Sequence, residues 1–289
     1  MKTPTGMKHL PAKTTVCNTF RRCLFVAAVG LAPAAHGVPL TVLNHSFEDV
    51  SAQSQVNEFY FGVNTDWQVY NAAAQANADI FFGTLNPDYA GAPMPTDSGW
   101  FTDPTPDGSQ VALLFGFGSG RGQPGPDSST VGEYGIQQTL SGVLEANTHY
   151  VLQVEVGNIA QGTASSGGVF PLDGFPGYRI DLMIDDVILA SDNNSLTIDE
   201  GRFATSTLTF DVGDSHALLG EALKIRLVNL NTNVDENGDP APVGNDIEVD
   251  FDFVRLDATE VPRVQVPEPF TAGLLALGLI GLGLRQRRA

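Results

Sequence analysis

The chain has 289 residues, with 33 acidic against 15 basic side chains and a formal net charge of −18. So acidic a surface repels phosphate backbones and gains nothing from counterion release, which excludes nucleic acid as a natural partner. The length allows a large buried core, and the surplus carboxylates suit hard divalent cations as well as plain solubility.

Residues 1–37 contain no Asp or Glu. Lys2, Lys8, Lys13, Arg21 and Arg22 precede the apolar run Leu24–Leu31, and Ala35-His36-Gly37 offers a small-x-small cleavage site before Val38. This is the pattern of a secretory signal peptide, helical through its apolar run. Cys17 and Cys23 both lie within it. Without the leader the chain has no thiol nucleophile, no thiolate metal site and no disulfide. Seven basic and 32 acidic residues lie between position 38 and position 266, so the body carries a charge near −25.

The body, residues 38–260, reads as strands. Leu40–Leu43 is a short opening strand, and Phe59–Val63 and Trp67–Tyr70 are apolar and β-prone. Asn71–Asp79 is Ala-rich and could form one short helix. Gly83–Gly108 and Gly116–Ser129 are dense in Gly and Pro and read as long loops, with a strand at Ser109–Phe115 between them. Tyr134–Leu140 returns to strand.

From Tyr150 onward the alternation is clean. Apolar positions recur every second residue through Tyr150–Val156, Ile180–Ile184, Ala204–Val212, Leu223–Leu227 and Ile247–Phe253. A period of two with turns between means half-buried antiparallel strands. In the last of these, Glu248, Asp250 and Asp252 fall on the polar side. An all-β fold, an antiparallel β-sandwich or jelly roll with long loops, is the most economical architecture.

Candidate chemistry is sparse. No serine has glycine at both −2 and +2, so there is no nucleophile elbow. The three body histidines, His45, His149 and His216, are far apart, and Gly213-Asp214-Ser215-His216 reads as a turn. Gly116–Gly122 lacks the Lys-Ser/Thr of a phosphate loop. Thirty-two carboxylates supply too many pairs for any to be singled out as an acid–base couple. Asn233-x-Asp235-x-Asn237-Gly238 begins like a calcium loop, but position twelve would be Gly244 rather than Glu. Trp100, in the polar loop Ser98–Phe101, and Tyr89 in the same loop are the candidate ligand-binding aromatics; packing of Trp100 over a sheet edge is the alternative.

Four segments resemble galactose-binding-like jelly rolls, the fold of many carbohydrate-binding modules: Asn44-His45-Ser46-Phe47-Glu48, Pro106–Gln110, Val154–Asn158 and Val249–Leu256. The resemblance implies a structural calcium ion held by Glu48 and Asp252, tying first and last strands together. The fold alone does not give a function.

Residues 261–289 close the chain with Val266-Pro267-Glu268-Pro269, the uncharged run Phe270–Leu284, and Arg285, Arg287 and Arg288. As a helix from Pro267 the run reaches about 27 Å at ~1.5 Å per residue, enough for a thin or locally deformed bilayer. The arginines favour a cytoplasmic C-terminus. These residues resemble the PEP-CTERM sorting signal of Gram-negative bacteria. The resemblance implies a transmembrane helix that tethers the chain to the inner membrane, cleavage by an exosortase, and release to the cell surface or extracellular matrix. The expectation is therefore an exported, non-catalytic protein associated with exopolysaccharide. A purely structural matrix protein and a polysaccharide hydrolase are the alternatives.

Overall fold

The computed structural model describes residues 37–71, 80–89, 100–116, 132–172, 174–232 and 247–262. The leader, the Ala-rich stretch 72–79, the incomplete calcium loop at 233–244 and the C-terminal sorting segment lie outside the described residues. Among the described residues no helix is long and apolar enough to cross a membrane, and all regular structure is strand.

Fifteen strands follow in chain order: β1 (Val38–Leu40), β2 (Ser54–Val56), β3 (Phe59–Phe61), β4 (Gln68–Tyr70), β5 (Ile80–Leu85), β6 (Val111–Gly116), β7 (Tyr134–Val143), β8 (Thr148–Asn158), β9 (Gly162–Thr163), β10 (Val169–Phe170), β11 (Tyr178–Ile184), β12 (Val187–Asn193), β13 (Arg202–Val212), β14 (Ala222–Asn229) and β15 (Ile247–Glu260). The first sheet runs β13-β8-β15-β6-β5-β3-β2, with β1 also on β15; the second runs β12-β11-β14-β7-β4. Every pairing is antiparallel. The all-β sandwich expected from the alternation is the fold observed. β2, β5, β9, β10 and β12 are additions to it: Ile80–Leu85 begins just before, and ends inside, a stretch that reads as loop.

The main core lies between the sheets. Tyr150, Leu152, Val154 and Val156 of β8, Val249 and Phe251 of β15, and Ala112 and Leu114 of β6 meet Tyr134, Ile136, Ile180, Leu182, Ile225 and Leu227 from the opposite sheet. Burial of this apolar surface is the main stabilising term.

β15 is central, paired to β8 along one edge and to β6 and then β1 along the other. Its register against β8 shifts between Asp252 and Arg255. Phe253 there takes φ +47, a left-handed conformation uncommon for a bulky residue. The bulge is held by its own polar partners. Asp252 Oδ1 accepts the Phe253 N–H at 2.7 Å, and His45 O accepts the Val254 N–H at 2.9 Å. Unbroken alternation would place Phe253 in the core; the extra residue turns it out and puts Val254 in its place. Phe251→Ala empties the centre of this strand. It should lower the unfolding free energy by about 3–5 kcal/mol in a urea titration.

Candidate functional site

The large sheet is apolar on both faces. Val111, Leu113 and Phe115 point away from the main core and join Leu85, Trp100, Ile159, Ala164 and Leu172 in a second buried cluster. A roof of loops covers this outer face. Trp100 O accepts the Ala160 N–H at 3.0 Å, and Gly201 O accepts the Thr102 N–H at 2.8 Å, which pins the 100–103 segment. The β9–β10 hairpin is pinned by Glu58, whose carboxylate takes the Ser165 N–H at 2.6 Å and the Ser165 hydroxyl.

Beneath the roof is an apolar cavity of about 120 Å³, lined by Phe59, Phe61, Phe81, Trp100, Leu113, Phe115, Phe170, Leu172 and Glu248. The rings stand mostly edge to face: Trp100 meets Phe59 at 72° and Phe170 at 63°, with centroids 6.0 Å apart in both pairs. Among the described residues, Glu248 supplies the only carboxyl in this lining, and no cation lines it.

β15 carries Glu248 and Asp250 on its outer face, opposite Phe115 and Leu113 of β6. Glu248 is 3 % exposed and Asp250 is fully buried. Neither Asp250 oxygen accepts a hydrogen bond from an N–H or hydroxyl donor. Burial pushes its pKa well above the usual carboxylate range, and the Glu248 charge and hydrogen bond push it further. Two carboxyls in contact without a cation lower their energy by holding a proton between them. The same Glu248 charge acts, after burial, to raise the Tyr134 phenol.

Gly157 makes the room for Asp250. It faces Asp250 across the β8–β15 ladder, and a Cβ there would stand 3.1 Å from the Asp250 Cβ and 2.7 Å from the Phe203 ring. Phe203 stacks on Phe101 at 4.3 Å, which closes the roof over the deeper acid.

Trp100 departs from expectation. The polar loop around it predicts an exposed platform, but it is 2 % exposed and wedged among phenylalanines. Among the described residues its buried indole N–H has no acceptor. Tyr89 does not line the cavity; its N–H closes a turn onto Asn86 O at 3.3 Å.

Glu48 and Asp252 do come together, through the Pro106–Gln110 loop. Glu48 Oε1 accepts the Ser109 and Gln110 N–H groups at 2.7 and 2.8 Å. Asp252 Oδ2 accepts the Asp107 N–H at 2.8 Å. Gly108, at φ +74, lets the loop close, since a Cβ there would stand 2.3 Å from Glu48 Oε1. Burial pushes Asp252 up to about 8 despite these bonds, and the Asp107 and Glu48 charges add to the rise. Among the described residues no group of three or more His, Cys, Asp or Glu converges as a metal site. An ion bridging Glu48 and Asp252 would draw its other ligands from backbone oxygens or water.

Residues 38–257 match the HpiC1-like family, HpiC1 cyclase. The chain belongs to the HpiC1-like cyclase family. A Stig cyclase from Fischerella sp. TAU, crystallised with (3Z)-3-(1-methyl-2-pyrrolidinylidene)-3H-indole, is 30% identical; the match covers 78% of this chain and 100% of that one, with a TM-score of 0.60. A cyclase from the same organism in complex with 4-(1H-indol-3-yl)butan-2-one is 29% identical over 78% of this chain and 99% of that one, with a TM-score of 0.59. A xylan-binding domain from Paenibacillus barcinonensis matches at 11% identity over 79% of this chain and 99% of that one, with a TM-score of 0.35, too distant to bear on a ligand. No curated protein matches the chain. Residues 265–288 match the PEP-CTERM protein-sorting motif, which makes the chain an exported protein sorted by an exosortase.

These matches overturn the expectation of a non-catalytic body. The cyclase family covers the whole sandwich, and the acids that alternation assigns to solvent are buried under the roof.

The raised acids set a pH dependence. A carboxyl with a folded-state pKa above its unfolded value keeps a proton that the unfolded chain releases. Its contribution to stability therefore falls as pH rises between the two values. For Asp252 that window runs from about 4 to about 8, and Asp250 acts with the same sign. In calcium-free buffer the melting temperature should fall from pH 5 to pH 8. Asp250→Asn, which forfeits no N–H bond, should flatten that slope; an unchanged slope refutes the buried-acid assignment.

Proposed function

We propose that the body is a proton-transfer cyclase acting on an apolar, indole-type substrate in the aromatic cavity. The observation that carries this reading is the buried carboxyl pair at the edge of a cavity otherwise walled by six aromatic rings and two leucines. Cyclisation by this route is an isomerisation. The Glu248 carboxyl gives its proton to a C=N or C=C group of the substrate. The carbocation that results is attacked by a π pair of the same molecule, forming a C–C bond. A C–H proton then returns to the Glu248 carboxylate, with Asp250 holding the pair's charge state between the steps. The phenylalanine and tryptophan faces favour a positive charge developing between them, and the dry wall keeps water from capturing it.

The Fischerella cyclases are crystallised with indole compounds, and a ring-lined cavity suits the same class of ligand here. Sugar hydroxyls would find few partners in it: one carboxyl and the Trp100 N–H. Trp100 thus becomes a ligand-contacting residue by lining an apolar cavity, not by presenting a stacking face to solvent.

Binding of 4-(1H-indol-3-yl)butan-2-one, followed by tryptophan fluorescence, should survive Glu248→Gln within about threefold. Conversion of an alkenyl-substituted indole to a product of equal mass should fall about 10²–10⁴-fold in the same variant, the usual range for loss of a general acid. Equal turnover by Glu248→Gln would end the proton-donor reading.

The Asp252 geometry favours a second, structural element. We propose that calcium bridges Glu48 and Asp252, offsetting the burial and the Glu48 charge that otherwise raise Asp252. A chelator should then lower the melting temperature and added calcium restore it. No response to either removes the ion from the account.

A further inference from the structure

The chain leaves the sandwich at one end, and the aromatic cavity lies toward the other. β1, the first strand after the leader, pairs with the far end of β15, Val38 opposite Ala258. β15 finishes at Glu260, opposite Thr148. The Val261 N–H then donates to Asn147 O at 2.7 Å, fixing the exit against the β7–β8 turn. Glu248, in the cavity lining, stands on the same strand near its start. Twelve residues at ~3.3 Å each put roughly 40 Å between it and Glu260. From Val261 to Pro267 the chain has a reach of only about 25 Å at ~3.5 Å per residue.

Two surface features compete at the exit end. Val38, Val143, Leu219 and Val261 are exposed there. So are Glu145, Asp214, Glu221 and Glu260. Scattered aliphatics on a surface are ordinary, whereas carboxylates are repelled by an anionic lipid surface within a Debye length. The acids decide the matter: this end stands off a bilayer on a short leash and is not pressed into it.

We infer that, before processing, the sandwich hangs from the membrane by its chain-exit end with the aromatic cavity turned away. The cavity therefore takes substrate from the aqueous side both before and after the sorting segment is cut. Processing then changes where the protein is, not whether its cavity is open. The inference rests on the sorting segment acting as a temporary membrane span and is independent of the proton chemistry.

The test uses the full chain in vesicles of phosphatidylethanolamine and phosphatidylglycerol at three to one. Cys17→Ser and Cys23→Ser clear the leader for labelling. One donor dye is placed through Glu221→Cys at the exit end, or through Val169→Cys on the roof hairpin. Energy transfer to acceptor-labelled headgroups should be at least twofold stronger from position 221 than from position 169. Equal or reversed transfer overturns the orientation. A chain that fails to float with the vesicles overturns the membrane span, and this inference with it, but leaves the Glu248 assay unaffected.

Discussion

The structure depends on burying β15 on both faces. Its inner side chains, Val249, Phe251, Val254 and Leu256, complete the main core. In its first half the outer side chains are the carboxyls of Glu248, Asp250 and Asp252, and burying a carboxylate without a cation costs far more than burying a carboxylic acid. The strand cannot leave them in water, because β6 and β5 beside it are apolar on that face and need their own cover. The conflict is settled by protonation. Asp250 and Asp252 are both pushed up, first by burial and then by neighbouring carboxylates. The core on one side of the strand thus stabilises acids held on the other.

The roof that imposes this burial is lightly built. It comprises loop 100–103, the two-residue strands β9 and β10, and aromatic rings, attached by a handful of hydrogen bonds. Glu58 is the most committed of these attachments. It is 1 % exposed, and its carboxylate takes both the backbone N–H and the hydroxyl of Ser165. Segments with few buried contacts open at lower free energy than the sheets beneath them. Phe61 and Phe170, at the cavity margin, are only partly buried. The roof is therefore the part of this site that opens at least cost, over a sheet that stays rigid beneath it. The acid pair stays on the stiff element while the walls adapt.

Period-two alternation made most of the fold legible from the residues. The five alternating segments from Tyr150 onward lie in strands β8, β11, β13, β14 and β15, and Asn44–Glu48 and Val249–Leu256 do meet at one end of the large sheet, with the Val254 N–H on His45 O. The site was not legible, for a specific reason. Alternation distinguishes two faces but assumes that the polar one is wet. Glu248, Asp250 and Asp252 look like solvent-facing residues of a half-buried strand. The opposing signal was present in β6, whose run Val111–Phe115 is apolar at every position and must therefore be covered on both sides. Since β6 pairs with β15, its second cover also falls on the acids; that pairing is tertiary information. Trp100 failed for a related reason: Gly and Pro around it mark a loop, and a loop that serves as a roof buries its largest side chain. Phe253 failed because a bulge adds one residue to the count.

Address and chemistry occupy different parts of this chain and make different physical demands. The sorting motif needs an uncharged run and a cationic end, and nothing in the sandwich supplies either. The cyclisation proposed for the cavity needs a proton held in a dry place, and an exported protein meets a medium whose pH the cell does not control. A surface acid would follow that medium. Burial and the neighbouring Glu248 raise the Asp250 pKa well above the usual carboxylate range, so the interior of the fold weighs on its charge state as well as the surroundings. With both cysteines before position 38, the sandwich presents no thiol to an oxidising exterior. Burial on the second face of β15 is thus the physical basis on which the proposed acid chemistry would work outside the cell.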